Sequence, residues 1–367
     1  MTDTNLLDRY LKRLRDSADP AEQIRHDFSE TQGGPTNDLG IDEKTNNETR
    51  EEKPEKTTSE SKPANESSKS TSEKESETST AIAAVYPPED DTLEKVLEEL
   101  DALVGLDDIK THVRTVINLL RIQKEREQAK LSTVEVGLHR LFTGNPGTGK
   151  TTVARLMGRI YKSTGRLSTG QLVETDRSGL VGGFVGQTAL KTMEVLKAAR
   201  GGVLFLDEAY SLVPEGDSGS DFGQEAITTI LKFMEDNRDD FVFIGAGYPR
   251  EMKRFIDSNS GFASRFNDIL DFEDYDADQL YEIFETLVKK HDYKLDKKTI
   301  EKTRENFTWF IMNKNQNFAN GRLVRKYFEA IIQNQANRLG KVSGDISRTR
   351  LQRITLSDLP EKLEELL

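Results

Sequence analysis

Eight consecutive residues, Gly144-Asn145-Pro146-Gly147-Thr148-Gly149-Lys150-Thr151, follow the spacing G-x-x-x-x-G-K-[ST]. That spacing suits the binding of phosphate. Glycines let a backbone curl until successive N–H groups converge on an anion, and a helix opening straight afterwards adds the positive end of its dipole. In such a loop the lysine reaches the β- and γ-phosphates of a nucleotide, and the last hydroxyl binds Mg²⁺. Lys150 and Thr151 hold those two places, with Thr152 next to them. A glycine-rich turn that binds nothing is the alternative, and the flanks weigh against it. Leu138-His139-Arg140-Leu141-Phe142 reads as a strand, and Thr152 to Tyr161 reads as a helix with Val153, Leu156, Met157 and Ile160 on one face.

A second chemical element is Val203-Leu204-Phe205-Leu206-Asp207-Glu208. Four apolar residues bury a strand whose end delivers two carboxylates. Taken alone, it reads equally well as a sheet edge with acids at its exposed end. About 55 residues beyond a phosphate loop, it reads as the acid pair of a phosphate-cleaving site. Asp207 would then hold Mg²⁺, directly or through water, and Glu208 would orient and polarise the attacking water.

These groups need a scaffold that alternates strand and helix. Residues 171–174 read as a strand, 188–199 as a helix, 202–207 as a buried strand, 222–237 as a helix, 241–246 as a buried strand and 269–272 as a short last strand. Such alternation predicts a parallel α/β sheet. Ahead of the loop, Asp91 or Thr92 is positioned to cap one helix, and Asp107 and Asp108 open another. From residue 277 the pattern is nearly all helical, with Trp309 read as a core residue. The expected organisation is an N-terminal arm over 1–28, a linker over 29–88, an α/β domain over 89–274, a helical lid over 275–345 and a C-terminal tail over 346–367. Leu356 to Leu367 reads as a short terminal helix.

In the arm, residues 4–16 form a short basic amphipathic pattern, which suits contact with a partner or a membrane surface, or else a marginal helix on a mobile arm. Between residues 29 and 80 there are 13 acids and 7 bases and almost no aliphatic side chains. Such a segment buries too little apolar surface to offset the entropy of ordering, so it reads as disordered.

Length sets a prior of two to three domains for 367 residues. With no Cys, disulfides and thiolate metal sites are excluded. The four His are scattered, which argues against a zinc site held by protein. A net charge of −12 argues against a general nucleic-acid binder. No run approaches the length of a membrane span, and the N-terminus lacks a signal-type apolar core. The chain reads as soluble and cytoplasmic.

The ordered set of motifs resembles the AAA+ ATPases. Its wording resembles the CbxX/CfxQ branch, which includes red-type Rubisco activases and sporulation protein K-like proteins. The resemblance is carried by Leu103-Val104-Gly105-Leu106, the phosphate loop, LVGGFVGQT at 180–188, LDEAYSL at 206–212, DFGQEAITTILKFMED at 221–236, Gly247-Tyr248-Pro249 with Met252 and Phe255, Ser264-Arg265-Phe266, and NGRLVR at 320–325. These stretches span about 91 to 339.

The resemblance implies a fold of P-loop sheet domain plus helical lid, with ATP bound between them beside Val104 and Gly105. It also implies a ring of identical subunits, a hexamer. Arg265 would be the finger inserted into a neighbour's site; without the resemblance it reads as a surface arginine. Arg322 would sense nucleotide from the lid, with Arg325 competing three residues on. Phe184, in the loop Gly182-Gly183-Phe184-Val185-Gly186, would line the central pore and grip a client polypeptide; otherwise it folds back on its own domain. Two departures stand out. Tyr248 occupies the place where many AAA+ proteins have a polar Asn sensing the γ-phosphate. The segment before Arg265 is Asn259-Ser260-Gly261 where the family has Asn-Pro-Gly, and so lacks a rigid residue. Two rival functions remain, an ATP-gated scaffold that threads nothing and a nucleic-acid-acting machine.

Overall fold

The computed structural model describes residues 83–87, 92–134, 136–184, 186–213, 222–263, 265–266 and 268–367. The arm with its amphipathic pattern, and residues 29–82 of the expected linker, lie outside the described residues. The described residues all fall within one unit, Ser79–Leu367.

The chain order is β1 (Ala84–Tyr86), α1 (Leu93–Asp101), α2 (Asp107–Gln128), β2 (Arg140–Gly144), α3 (Lys150–Ser163), β3 (Leu172–Thr175), α4 (Arg177–Leu180), α5 (Gln187–Ala199) and β4 (Val203–Leu206). Next come a 3₁₀ turn (Ala209–Leu212), α6 (Gly223–Asp236), β5 (Val242–Gly247), α7 (Pro249–Asp257), α8 (Ser260–Ala263) and β6 (Asp268–Phe272). The sheet order is β1-β3-β4-β5-β2-β6. All its pairs are parallel except β1 with β3.

Alternation along the strands builds two cores. Phe142, Phe205, Ile244 and Leu270 face one layer with α1, α2 and α3. Leu141, Leu204, Phe243 and Leu206 face the other, with α5, α6 and α7. Strands covered on both faces carry continuous apolar runs, which is why residues 203–206 contain no polar residue. The parallel α/β sheet expected from the sequence is the one observed.

Strand β1 is a difference from the expectation of linker up to residue 88. It pairs antiparallel with β3, Val85 opposite Val173. The Arg155 guanidinium lies 3.9 Å from the Tyr86 ring centroid. Three residues are too few to carry a periodic signal, so only the pairing reveals the strand.

The lid follows as α9 (Ala277–Lys290), β7 (Lys294–Leu295), α10 (Lys297–Met312), α11 (Gly321–Leu339), α12 (Arg348–Gln352) and β8 (Arg353–Ile354). An Asp276–Gln279 capping box opens α9, and the Asp296 carboxylate caps α10. Phe284, Phe307, Phe310 and Tyr327 form the lid core. Trp309 lies at its margin rather than within it, edge-on to Phe310 at 5.7 Å.

Residues beyond 345, expected as a separate tail, share that core. Strand β8 pairs in parallel with β7, and Ile354 and Leu359 are buried. The buried Asp358 carboxylate takes two bonds from Arg338, at 2.7 and 2.8 Å. In place of the expected terminal helix there are two 3₁₀ turns, Leu356–Asp358 and Leu363–Leu366. Among the described residues, no helix is long and apolar enough to cross a membrane.

Candidate active site

The phosphate loop leaves the C-terminal end of β2 and opens α3. Its curvature depends on glycine where other backbone comes closest. A Cβ on Gly147, at φ +74°, would sit 2.3 Å from the Ala319 carbonyl oxygen and 2.7 Å from the Arg322 amide. One on Gly144 would sit 2.3 Å from the Phe272 carbonyl oxygen. The lid thus touches the loop at its tip.

Five consecutive carbonyls of the loop accept hydrogen bonds. Lys150 Nζ donates to Gly144 O and Asn145 O, each at 2.8 Å. Asn320 Nδ2 donates to Pro146 O at 3.4 Å, the Gly321 amide to Gly147 O at 3.0 Å, and the Tyr275 hydroxyl to Thr148 O at 3.1 Å. In a peptide the C=O and N–H point opposite ways, so carbonyls tied into protein turn the amides toward the cleft. No side chain caps the start of α3, so its first amides add to this anion cradle. The Thr148 side chain is buried and donates to Asn145 O at 2.8 Å, bracing the turn while its backbone forms the cradle. Thr151 sits in the first helical turn, and Thr152 beside it is exposed.

Burial lowers the Lys150 pKa to about 8; Asp207 pulls it up, Arg322 pulls it down and Asp271 pulls it up. All three charges therefore converge on the lysine. Strand β4 delivers Asp207, whose amide continues the β3 pairing by donating to Thr175 O at 2.9 Å. Asp207 Oδ1 accepts from the Glu208 amide at 3.1 Å. Glu208 has φ +48°, a left-handed conformation that costs a non-glycine residue roughly 1–3 kcal/mol. Its side chain lines a polar cavity of 470 Å³ with Asp176, Arg177 and Ser211. The hard oxygen donors of Thr151, in the first turn of α3, and Asp207, at the end of β4, are of the kind that fits a Mg²⁺ ion.

Tyr248 follows β5 directly and faces the ring of Tyr210 at 6.1 Å. The Tyr210 phenol is pushed up to about 12, first by burial, then by Glu208 and Tyr248. Tyr210 was not singled out from sequence, although it lies within the LDEAYSL motif.

Lid and loop are joined through Asp274, a group that the sequence did not mark. Asp274 accepts from Asn145 Nδ2 at 2.9 Å, Asn320 Nδ2 at 2.8 Å and Lys314 Nζ at 3.0 Å. Burial opposes its ionisation, but the bonds from Asn320, Asn145 and Lys314 outweigh that and hold the carboxyl below its usual range. Asn320 is fully buried at φ +46°, and its Oδ1 accepts from the Tyr275 amide at 2.9 Å. Helix α11 begins at Gly321, which puts Arg322 in its first turn against the loop. Of Arg322 and Arg325, the first is the one whose charge acts on Lys150. The Val104-Gly105 turn lies alongside, Gly105 at φ +60° against Gln279 and Tyr275 of the lid segment.

Two marked residues stand apart. Arg265 donates to Glu235 Oε2 at 2.8 Å and to Gly261 O at 3.1 Å. It lines a cavity of 510 Å³ with His139, Arg166, Glu235, Arg238 and Phe241. His139 and Phe241 immediately precede β2 and β5, so this cavity lies at the N-terminal edge of the parallel strands. The phosphate loop lies at the C-terminal edge, about 17 Å away along five residues of strand. Phe184 is 72% exposed, in the loop between α4 and α5.

Residues 140–274 match the model of the ATPase family associated with various cellular activities (AAA), and residues 276–367 match the AAA lid domain. Stage V sporulation protein K of Bacillus subtilis is 39% identical over 278 residues, 74% of this chain and 84% of that protein. Protein CbxX (plasmid) of Cupriavidus necator is 42% identical over 272 residues, 73% of this chain and 84% of that protein. The fold is also that of the FIGL-1 AAA domain, at a TM-score of 0.52 and 17% identity over 77% of this chain and 84% of that one. With its nucleotide loop, strand-end acids and lid in place, the chain belongs to the CbxX/CfxQ family of AAA+ ATPases.

Proposed function

We propose that this ATPase acts as a closed ring, a hexamer, in which each nucleotide site is completed by Arg265 of the adjacent subunit. The placement of Arg265 carries this reading. It sits on the sheet edge opposite its own loop, so it reaches a triphosphate only on another subunit. Head-to-tail contacts of that kind close into rings.

In this reading water attacks the γ-phosphorus in line and its proton passes to Glu208. The bond from that phosphorus to the β,γ-bridging oxygen breaks, and ADP leaves with the electron pair. Lys150, Arg322 and the neighbour's Arg265 stabilise the charge on the transferred group. Thr151 and Asp207 would hold Mg²⁺, which would supply positive charge to the phosphates. Val104 and Gly105 border the base, and Tyr248 with Tyr210 lies beside Glu208. Hydrolysis changes the angle between sheet domain and lid, and Phe184 loops around the pore pull on a client protein. An exposed aromatic offers large apolar contact with little side-chain entropy to lose. The exposed Phe184 suits a protein client, and the acidic chain disfavours nucleic acid.

Glu208→Gln tests the chemistry: the variant binds ATP and assembles but turns over at least 100-fold more slowly. Undiminished turnover rejects the role of Glu208. Phe184→Ala separates threading from an ATP-gated scaffold, since client remodelling vanishes under the first and survives under the second.

A further inference from the structure

Glu235 sits in the last turn of α6, and its carboxylate serves two arginines from two segments. One oxygen pairs with Arg238, just beyond the helix end. The other accepts from Arg265, in the turn between α8 and β6, at 2.8 Å. Their hydrogen bonds, Arg238 first, hold the Glu235 carboxyl below the usual range. Arg166, from the turn after α3, closes the group by donating to Arg238 O at 3.2 Å and to Asp239 at 3.3 Å. These three guanidiniums and Glu235 border the same 510 Å³ cavity.

The arrangement differs from a structural ion pair. Arg238 and Glu235 are each nearly half exposed, and pairs so placed stabilise a fold by about 0–1 kcal/mol. What the bridge fixes is direction. Arg265 is held at both terminal nitrogens, one by Glu235 and one by Gly261 O. Arg238 is held against the same carboxylate, so the two guanidiniums are presented side by side. A terminal phosphate offers three acceptor oxygens, which two planar forks engage better than one.

We infer that Arg238 is a second arginine acting on the neighbour's γ-phosphate, and that Glu235 is the positioning residue that holds Arg238 and Arg265 as a pair. The inference rests on the reading of Arg265 as acting in trans. Arg166 steadies the Arg238 backbone and does not touch the nucleotide.

The test uses the full chain, with two differently tagged variants co-expressed and mixed assemblies isolated through both tags. Arg238→Ala keeps its own loop and acids, and Glu208→Gln keeps its arginines. Each alone is slow, Arg238→Ala by about tenfold or more in kcat, with nucleotide affinity of the loop unchanged. In mixed assemblies a Glu208→Gln subunit supplies Arg238 to an adjacent Arg238→Ala site, and turnover rises several-fold above the weighted mean of the parents. Arg265→Ala with Glu208→Gln is the control. If the control pair recovers and the Arg238 pair stays at the mean, Arg238 has no trans role and this inference fails while the ring reading stands. If neither pair recovers, the trans reading fails and takes the inference with it. Arg238→Lys, which keeps charge without the fork, restores part of kcat. Glu235→Gln keeps shape but loses one of its two bridges, lowering kcat about tenfold with KM for ATP unchanged; a change in KM alone overturns its positioning role.

Discussion

Replacing Asp274 with Ala severs the join between phosphate loop and lid. Three hydrogen bonds end on this carboxylate, from Asn145, Asn320 and Lys314. Two come from neutral amides, each contributing about 1 kcal/mol, and bonds to a charged group contribute more. The lysine bond is half exposed and contributes least. Their sum, about 2–4 kcal/mol, is the loss expected in the free energy that opposes local opening of the lid from the loop. A loss of that size accelerates amide exchange in residues 321–324 by roughly 30- to 1000-fold, at about 1.4 kcal/mol per factor of ten. Hydrogen exchange read by mass spectrometry on the full chain measures it directly. Asp274→Asn keeps an oxygen for Asn145 and Asn320 and loses chiefly the lysine, so exchange rises less than tenfold. The pH dependence follows from the depressed carboxyl. Its stabilisation is complete above the ordinary value of 3.8 and is lost as pH falls through the lower folded-state value. If Asp274→Ala leaves exchange in 321–324 within twofold of the parent, the lid is held by other contacts and the reasoning fails.

Nucleotide binding recharges Lys150, whose pKa of about 8 rises when phosphate joins Asp207 around it. Above pH 8 binding therefore takes up a proton, and affinity falls by up to tenfold per pH unit; calorimetry in buffers of different ionisation heat reads the proton directly. Gly147→Ala forces a methyl to within 2.3 Å of Ala319 O at a positive φ, so lid and loop separate and ATP affinity drops at least tenfold by fluorescent-nucleotide titration while the sheet domain stays folded by circular dichroism. Asp358→Ala leaves Arg338 without its bidentate partner and uncaps the turn at Thr355, a loss of roughly 2–4 kcal/mol read as an earlier lid transition in a thermal melt.

The parts legible in the sequence were those whose physics is local. The loop's glycines, lysine and hydroxyl occupy eight adjacent positions, and β4 delivers Asp207 and Glu208 from one apolar run. The strand–helix alternation was visible because the fully buried β4 and β5 contain no polar residues. Asp274 and Asn320 were not legible, since their meaning lies in bonds spanning 129 residues to Asn145 and 46 residues between themselves. Nothing about an isolated Asp or an Asn-Gly step marks such a contact, although Asn320 opens the NGRLVR motif. The C-terminal residues were misjudged for a related reason. Ile354 and Leu359 are single apolar residues without period, yet both are buried by helices earlier in the chain. Size drew attention to Trp309, but phenylalanines one turn apart on α10 fill the lid centre.

Strand β2 carries the phosphate loop at one end and His139, with the Arg265 cavity, at the other. Under the proposed in-trans role each subunit is therefore directional, with a face that donates arginine and a face that receives it. A row of n subunits then holds n − 1 complete sites, and only closure completes the last one. Turnover should therefore follow the number of contacts, and closure raises the complete share of sites from (n − 1)/n to all of them. A single arginine-deficient subunit silences one site and leaves its own intact, so the position of a fault around the assembly is displaced by one from the subunit that carries it.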